Sequence, residues 1–233
     1  MAVLVAGQIK HKAIESLVSQ YLTNTRGRIV NLNTIITELN NNKVSFYYNN
    51  SEAHLNFTFK TCGINDKDEI KTVILRWMIR DKIILIRESL PTYWADTVIH
   101  LTKKDGYLMT SLVTIPDRSI QVVEKILNLL IKYKKDMERD DFNMAKQVTA
   151  LRLSLQSDEN KDVVHELGKQ ALSGKPLKSF KDKITEALNV SYEEMRNFLQ
   201  DFISKDNLRI SMIGPFSEKD KKEVERIFYE ILS

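Results

Sequence analysis

Residues 93–116 read Tyr93-Trp94-Ala95-Asp96-Thr97-Val98-Ile99-His100-Leu101-Thr102-Lys103, then Lys104-Asp105-Gly106, then Tyr107-Leu108-Met109-Thr110-Ser111-Leu112-Val113-Thr114-Ile115-Pro116. Both flanks are rich in β-branched and aromatic residues, and Asp-Gly between two such runs is the strongest local hairpin signal in the chain. Beyond Pro116 the period changes: Val122, Val123, Ile126, Leu127, Leu130 and Ile131 recur at helical spacing over 119–134. A hairpin followed by helix after helix argues for an α+β domain.

Working outward from this stretch gives the same picture. Upstream, 43–48 (K-V-S-F-Y-Y) and 53–61 (A-H-L-N-F-T-F-K-T) are β-like, the second alternating Leu55, Phe57 and Phe59 with Asn56, Thr58 and Lys60. They flank Asn49-Asn50-Ser51, which reads as a second hairpin turn. Asp66 or Asp68 is suited to cap a helix carrying Ile70, Val73, Ile74, Trp77 and Met78, an apolar stripe that reads as core. Downstream, helices are predicted over 138–155, 161–172 (closed by Gly174 before Pro176), 180–188 and 192–204. Ser191 is the N-cap of the last, with Glu194 completing a capping box. The expected fold is a mostly antiparallel sheet covered by helices on one face.

The two ends of the chain look alike. Val3-Leu4-Val5-Ala6-Gly7 precedes a helical pattern (Ala13, Ile14, Leu17, Val18, Tyr21), and Ile210-Ser211-Met212-Ile213-Gly214 precedes another (Val224, Ile227, Phe228, Ile231). Strand, glycine turn and helix recurring 207 residues apart is the mark of a duplication, although so common a unit also recurs by chance. On the duplication reading, residues 1–22 are the closing strand and helix of a preceding repeat. Residues 23–42, Asn-rich and polar, are a connection, and 43–233 form the α+β domain. Met1-Ala2 runs almost directly into the first apolar run, as expected of a fragment cut from a longer polypeptide.

Composition narrows the functional classes. The net charge of +4 over 233 residues is mild and its signs are interspersed, which argues against nucleic acid as a partner. The basic clusters Lys132-Tyr133-Lys134-Lys135 and 219–222 sit at predicted helix ends and read as solvated surface. No run approaches twenty apolar residues, so no helix is expected to span a membrane. Cys62 is alone, which rules out an intrachain disulfide and a cysteine-rich metal site. Gly7 and Gly214 lack the G-x-G-x-x-G or Walker context of phosphate loops, and no G-x-S-x-G marks a serine hydrolase.

Four stretches carry a resemblance, in order, to the pitrilysin/insulinase/mitochondrial-processing-peptidase family of zinc metallopeptidases, and to its non-catalytic repeat. Val3–Gly7 with its helix is similar to the strand-Gly-helix ending a half. Ile84-Leu85-Ile86-Arg87-Glu88-Ser89-Leu90-Pro91-Thr92-Tyr93 resembles the Leu-Arg-Glu…Tyr segment, with one residue fewer between arginine and tyrosine and no glycine before the tyrosine. Met137 to Lys146 resembles the start of a long helix, with acidic residues at its usual threonine and Glu-Leu positions. Residues 184–198 followed by 208–215 look like the terminal helix and Val-x-Gly-Pro strand.

The resemblance implies one repeat of the duplicated metallopeptidase-half fold, closing over a catalytic half and enclosing a peptide. Arg87 and Tyr93 would be its substrate-binding residues. A guanidinium offers forked donors to a peptide carbonyl, and a phenol hydrogen-bonds a developing oxyanion. The alternative is that Arg87 pairs with Glu88 or Asp96 and Tyr93 only starts a strand. Zinc in this family is held by His-x-x-Glu-His, and His11, His54, His100 and His165 do not form that motif. No cofactor is therefore expected in this chain, and zinc is expected in a partner catalytic domain, linked or separate. A second reading keeps the same fold as a structural or assembly module with no part in proteolysis.

Overall fold

The computed structural model describes residues 3–22, 42–48, 51–89 and 92–233. The elements run α1 (His11–Leu22), β1 (Val44–Tyr47), β2 (Ala53–Cys62), α2 (Glu69–Ser89), β3 (Thr92–Leu101), β4 (Asp105–Thr114), a 3₁₀ turn (Pro116–Arg118) and α3 (Ser119–Lys135). They continue with α4 (Arg139–Ser157), α5 (Asn160–Ser173), α6 (Phe180–Asn189), α7 (Tyr192–Phe202), β5 (Leu208–Ile213) and α8 (Glu218–Ile231).

The five strands form one sheet in the order β1-β5-β2-β4-β3, antiparallel except for the β1–β5 pair. The α+β class, with a mostly antiparallel sheet, is as the sequence implies. Burial alternates along β2: Ala53, Leu55, Phe57, Phe59 and Thr61 face the helices, whereas His54, Asn56, Thr58 and Lys60 face away. Strand period two therefore makes one covered face and, among the described residues, one bare face. Against the covered face α2, α3 and α8 pack, and α4, α6 and α7 complete a second layer behind them.

Helix ends follow local chemistry. Ser179, Ser191 and Ser217 each accept from the backbone N–H three residues on, and Asp182, Glu194 and Asp220 reciprocate, giving three capping boxes. Gly174, at φ +71°, closes α5 in the left-handed conformation that glycine adopts without steric cost.

Three readings need correction. Asn49-Asn50-Ser51 does not join a hairpin: β5 lies between β1 and β2, with Val44 opposite Ile210 and Phe57 opposite the same residue on the other side. (Asn49 and Asn50 themselves lie outside the described residues.) Leu208, Ile210 and Met212 are at most 1% exposed, so β5 belongs in the middle of the sheet, and a local turn signal carries no information about so distant a partner. Second, residues 3–7 form no strand among the described residues. Val3 and Val5 are 47% and 49% exposed, and α1 buries no side chain. An apolar run without a neighbouring edge has nothing to pair with. Third, the β3–β4 turn centres on Lys103-Lys104, with Thr102 N–H donating to Asp105 O at 2.7 Å, so Asp105 and Gly106 already belong to β4. Of the predicted connection, 23–41 lies outside the described residues.

Candidate functional site

The corner where α2 gives way to β3 carries both predicted site residues. Arg87 is in the last turn of α2, where a cation complements the helix dipole, and its side chain is exposed. Tyr93 is the second residue of β3 and is 60% exposed. A bulge accounts for that exposure. Thr92 pairs with Thr114 and Trp94 with Val113, so Tyr93 is the extra residue, and the in–out alternation of the strand shifts by one across it. Thr92 thereby faces the core, Trp94 faces the bare side, and Tyr93 is turned out of the ladder. The hydroxyl of Thr92 is buried with no hydrogen-bond partner among the described residues.

Arg87 makes no ion pair among the described residues. Asp96, one of its candidate partners, is engaged elsewhere: it accepts from Thr97 N–H at 2.8 Å and pairs with Arg80 at 3.1 Å. The other candidate, Glu88, lies outside the described side chains. On the outer edge of β3, Arg76 Nε donates to Thr97 O at 2.8 Å. Both backbone groups of Thr97 are thus satisfied by side chains, which blunts this edge against pairing with another strand.

The bare face of the sheet is graded. One row crosses all five strands through Asp96, Ser111, Asn56, Ser211 and Ser45, with Ser111 Oγ donating to Asn56 Oδ1 at 2.6 Å. The adjacent row is Trp94, Val113, His54, Ile213 and Tyr47, in which Trp94 and Tyr47 are 50% and 61% exposed. A hydrogen-bonding strip beside an apolar one suits an extended chain laid across the strands. The polar positions of β2 signalled this face in the sequence; the alignment of rows across strands required the register.

The four histidines lie on four different elements. His11 pairs with Glu15 on α1, His54 is 3.6 Å from Glu52, His100 stacks on Tyr107, and His165 is exposed on α5. Among the described residues no three His, Cys, Asp or Glu side chains gather as metal ligands, and these residues do not fit a zinc centre. The basic clusters are surface features with local partners. Lys132 pairs with Glu138, Lys134 donates to Ile203 O at 2.9 Å, and Lys221 pairs with Glu218 at 2.6 Å.

One constellation was absent from the sequence reading. Lys183, on α6 and only 4% exposed, donates to Glu69 at 2.7 Å and to Glu166 at 2.6 Å, tying together α6, the first residue of α2 and α5. Burial alone would lower the Lys183 pKa, but the two carboxylates outweigh it and raise it. Burial would likewise raise Glu166, yet Lys183 and the hydrogen bond from Gln170 hold its carboxyl below its usual value.

Comparison with known proteins identifies the class. The family described as the peptidase M16 inactive domain matches residues 1–149, and the chain belongs to it. The sequence matches no curated protein. Among solved structures it is similar to a protease from Helicobacter pylori (TM-score 0.74, 12% identity, 90% of this chain and 54% of that one). It is also similar to the periplasmic protease PqqL from Escherichia coli (0.70, 11%, 97% and 28%). A third is the peptidase M16 inactive domain from Pseudomonas fluorescens (0.66, 17%, 76% and 44%). The chain thus spans about half or less of the length of each. Among the described residues no helix is long and apolar enough to cross a membrane.

Proposed function

We propose that this chain is the non-catalytic half of a zinc peptidase: it closes over a peptide held by a catalytic half that supplies the metal, and Arg87 and Tyr93 contact the bound substrate. The observation that carries the reading is an exposed arginine and an exposed, bulge-turned tyrosine at one end of a sheet that, among the described residues, helices cover on one face only. Arg87 offers a fork of donors to a substrate carbonyl, and the Tyr93 phenol donates to the oxyanion that forms as the carbonyl is attacked. The bare face forms a wall of the chamber, its polar row taking main-chain groups of the peptide. Residues 1–22 complete the preceding repeat, which covers the apolar side chains of Val3, Val5 and Ile9 that this chain leaves exposed.

The test is made in the assembled two-half enzyme. Arg87→Ala and Tyr93→Phe are each expected to lower kcat/KM by about 10- to 100-fold. Thermal unfolding should stay unchanged, because neither side chain is in the core. Full activity in both variants, or a matching loss of stability, refutes the assignment. This chain alone, supplied with zinc, is expected to cleave no peptide; metal-dependent cleavage by it would overturn the division of labour.

A further inference from the structure

We propose that the guanidinium groups of Arg76, Arg80 and Arg152, gathered around the Trp77 indole, form a binding site for a phosphate-class oxyanion. Their central carbons lie 4.7, 5.1 and 5.4 Å from the ring centre, which keeps every pair of them within about 10 Å. Arg76 and Arg80 come from α2, one turn apart, and Arg152 comes from α4. Trp77 is 7% exposed and anchored in the core, so the platform is rigid.

Two of the three arginines are held in place through Nε. Arg76 Nε is taken by Thr97 O and Arg80 Nε by Asp96. Among the described residues neither makes a further ion pair, and Arg152, which is exposed, makes none. Around Arg76 the facing charges are Arg80, Arg152 and Asp96, two guanidiniums and one carboxylate. Asp81, which also faces Arg80, is shared with Lys82, itself paired to Asp141 at 2.8 Å. Burial and then the two neighbouring cations push the Arg76 pKa down, the direction expected where positive charge is under-compensated.

With Asp96 and Asp81 set against the three arginines, and Lys82 paired to Asp141, an excess of one positive charge remains, which favours an anion. Donors arriving from three side chains match a tetrahedral group better than a planar carboxylate, which one fork satisfies. The ligand class is therefore phosphate, free or as a small phosphomonoester. The site involves neither Arg87 nor Tyr93, so its failure would leave the peptidase reading standing.

The experiment uses the full chain with Trp94→Phe, which leaves Trp77 as the only indole. Its fluorescence is titrated with inorganic phosphate, glycerol 3-phosphate and acetate at an ionic strength held constant with chloride. A saturable response to phosphate is expected, weakened at least about tenfold by Arg152→Gln, with the circular dichroism unchanged because Arg152 is a surface side chain. Equal binding of the two phosphates supports the free ion as ligand, and tighter binding of the ester supports a phosphorylated metabolite. Calorimetric titration of the unsubstituted chain reads the same site without the Trp94 change. No saturable response to either phosphate, an unchanged affinity in Arg152→Gln, or acetate binding as tightly as phosphate would overturn the proposal.

Discussion

Replacing Lys183 by Met is expected to be among the most damaging single changes in this chain. Met approximates the volume of lysine but removes the ammonium that lies within 2.7 Å of both Glu69 and Glu166. The two carboxylates, whose side chains are 10% and 25% exposed, then face each other without a cation. Asn65 N–H still donates to Glu69, and Gln170 to Glu166, but neutral donors do not remove the charge. Breaking a buried ion pair in this way costs about 3–5 kcal/mol, which lowers a urea midpoint by about 1–2 M for a domain of this size. Urea unfolding followed by circular dichroism measures it directly. The pH dependence carries a sign. Glu166 has a folded pKa below its ordinary 4.5, so its contribution is present above that value and lost as pH falls through the folded pKa. Lys183 has a folded pKa above 10.5, so its contribution is complete below that value and lost as pH rises through the folded one. The gap between wild type and Lys183→Met should therefore be widest between about pH 5 and 10 and narrow at either extreme. Adding Glu69→Gln and Glu166→Gln to the variant should restore most of the loss. A deficit under about 1 kcal/mol, a deficit equal at pH 3.5 and 7, or a triple variant no better than the single one would refute the account.

Other expectations follow from individual side chains. Burial, and next Asp66, push the Cys62 thiol up to about 11; iodoacetamide should therefore label the native chain at pH 8 about 100-fold more slowly than the urea-unfolded chain, and fast native labelling would contradict this. A Cβ on Gly106 would collide with His100 O, a backbone atom that cannot swing aside, so Gly106→Ala should destabilise by about 1–3 kcal/mol in thermal melts. The Tyr133 hydroxyl, buried, donates to Met78 O at 2.9 Å. Tyr133→Phe leaves that carbonyl unpaired by the side chain and should cost about 1 kcal/mol, measured by urea titration.

Much of the fold was legible because local chemistry decided it. The alternation of Leu55, Phe57 and Phe59 gave β2 and its covered face, and Ser191 with Glu194 gave the start of α7 to the residue. What escaped depends on distant partners. Nothing around residues 43–61 reveals that a strand from positions 208–213 will lie between them. Lys183 sits beside Ile184 and Ala187, where charge looks like an ordinary polar helix position; only the approach of Glu69, 114 residues away, makes its burial tolerable. Trp77 was readable as core, yet Arg152 reaches it from another helix. At the candidate site, Arg87 and Tyr93 were found through the resemblance, while the bulge that exposes Tyr93 is a matter of register with β4 that the residues themselves do not announce.

The central place of β5 bears on how the chain is made. A nascent polypeptide emerging from the ribosome can form the β3–β4 hairpin and then add β2 to β4 early, because those contacts are closer in sequence than any that β5 makes. β1 has no partner in the described sheet other than β5, and β2 presents an open edge until β5 arrives. Residues 1–149, the part matched by the family description, end before that strand is reached. The sheet therefore closes only once residues 208–213 have been synthesised. Until then the half-built domain carries an unsatisfied strand edge along β2, the state in which a holding chaperone, or an aggregating neighbour, would find it.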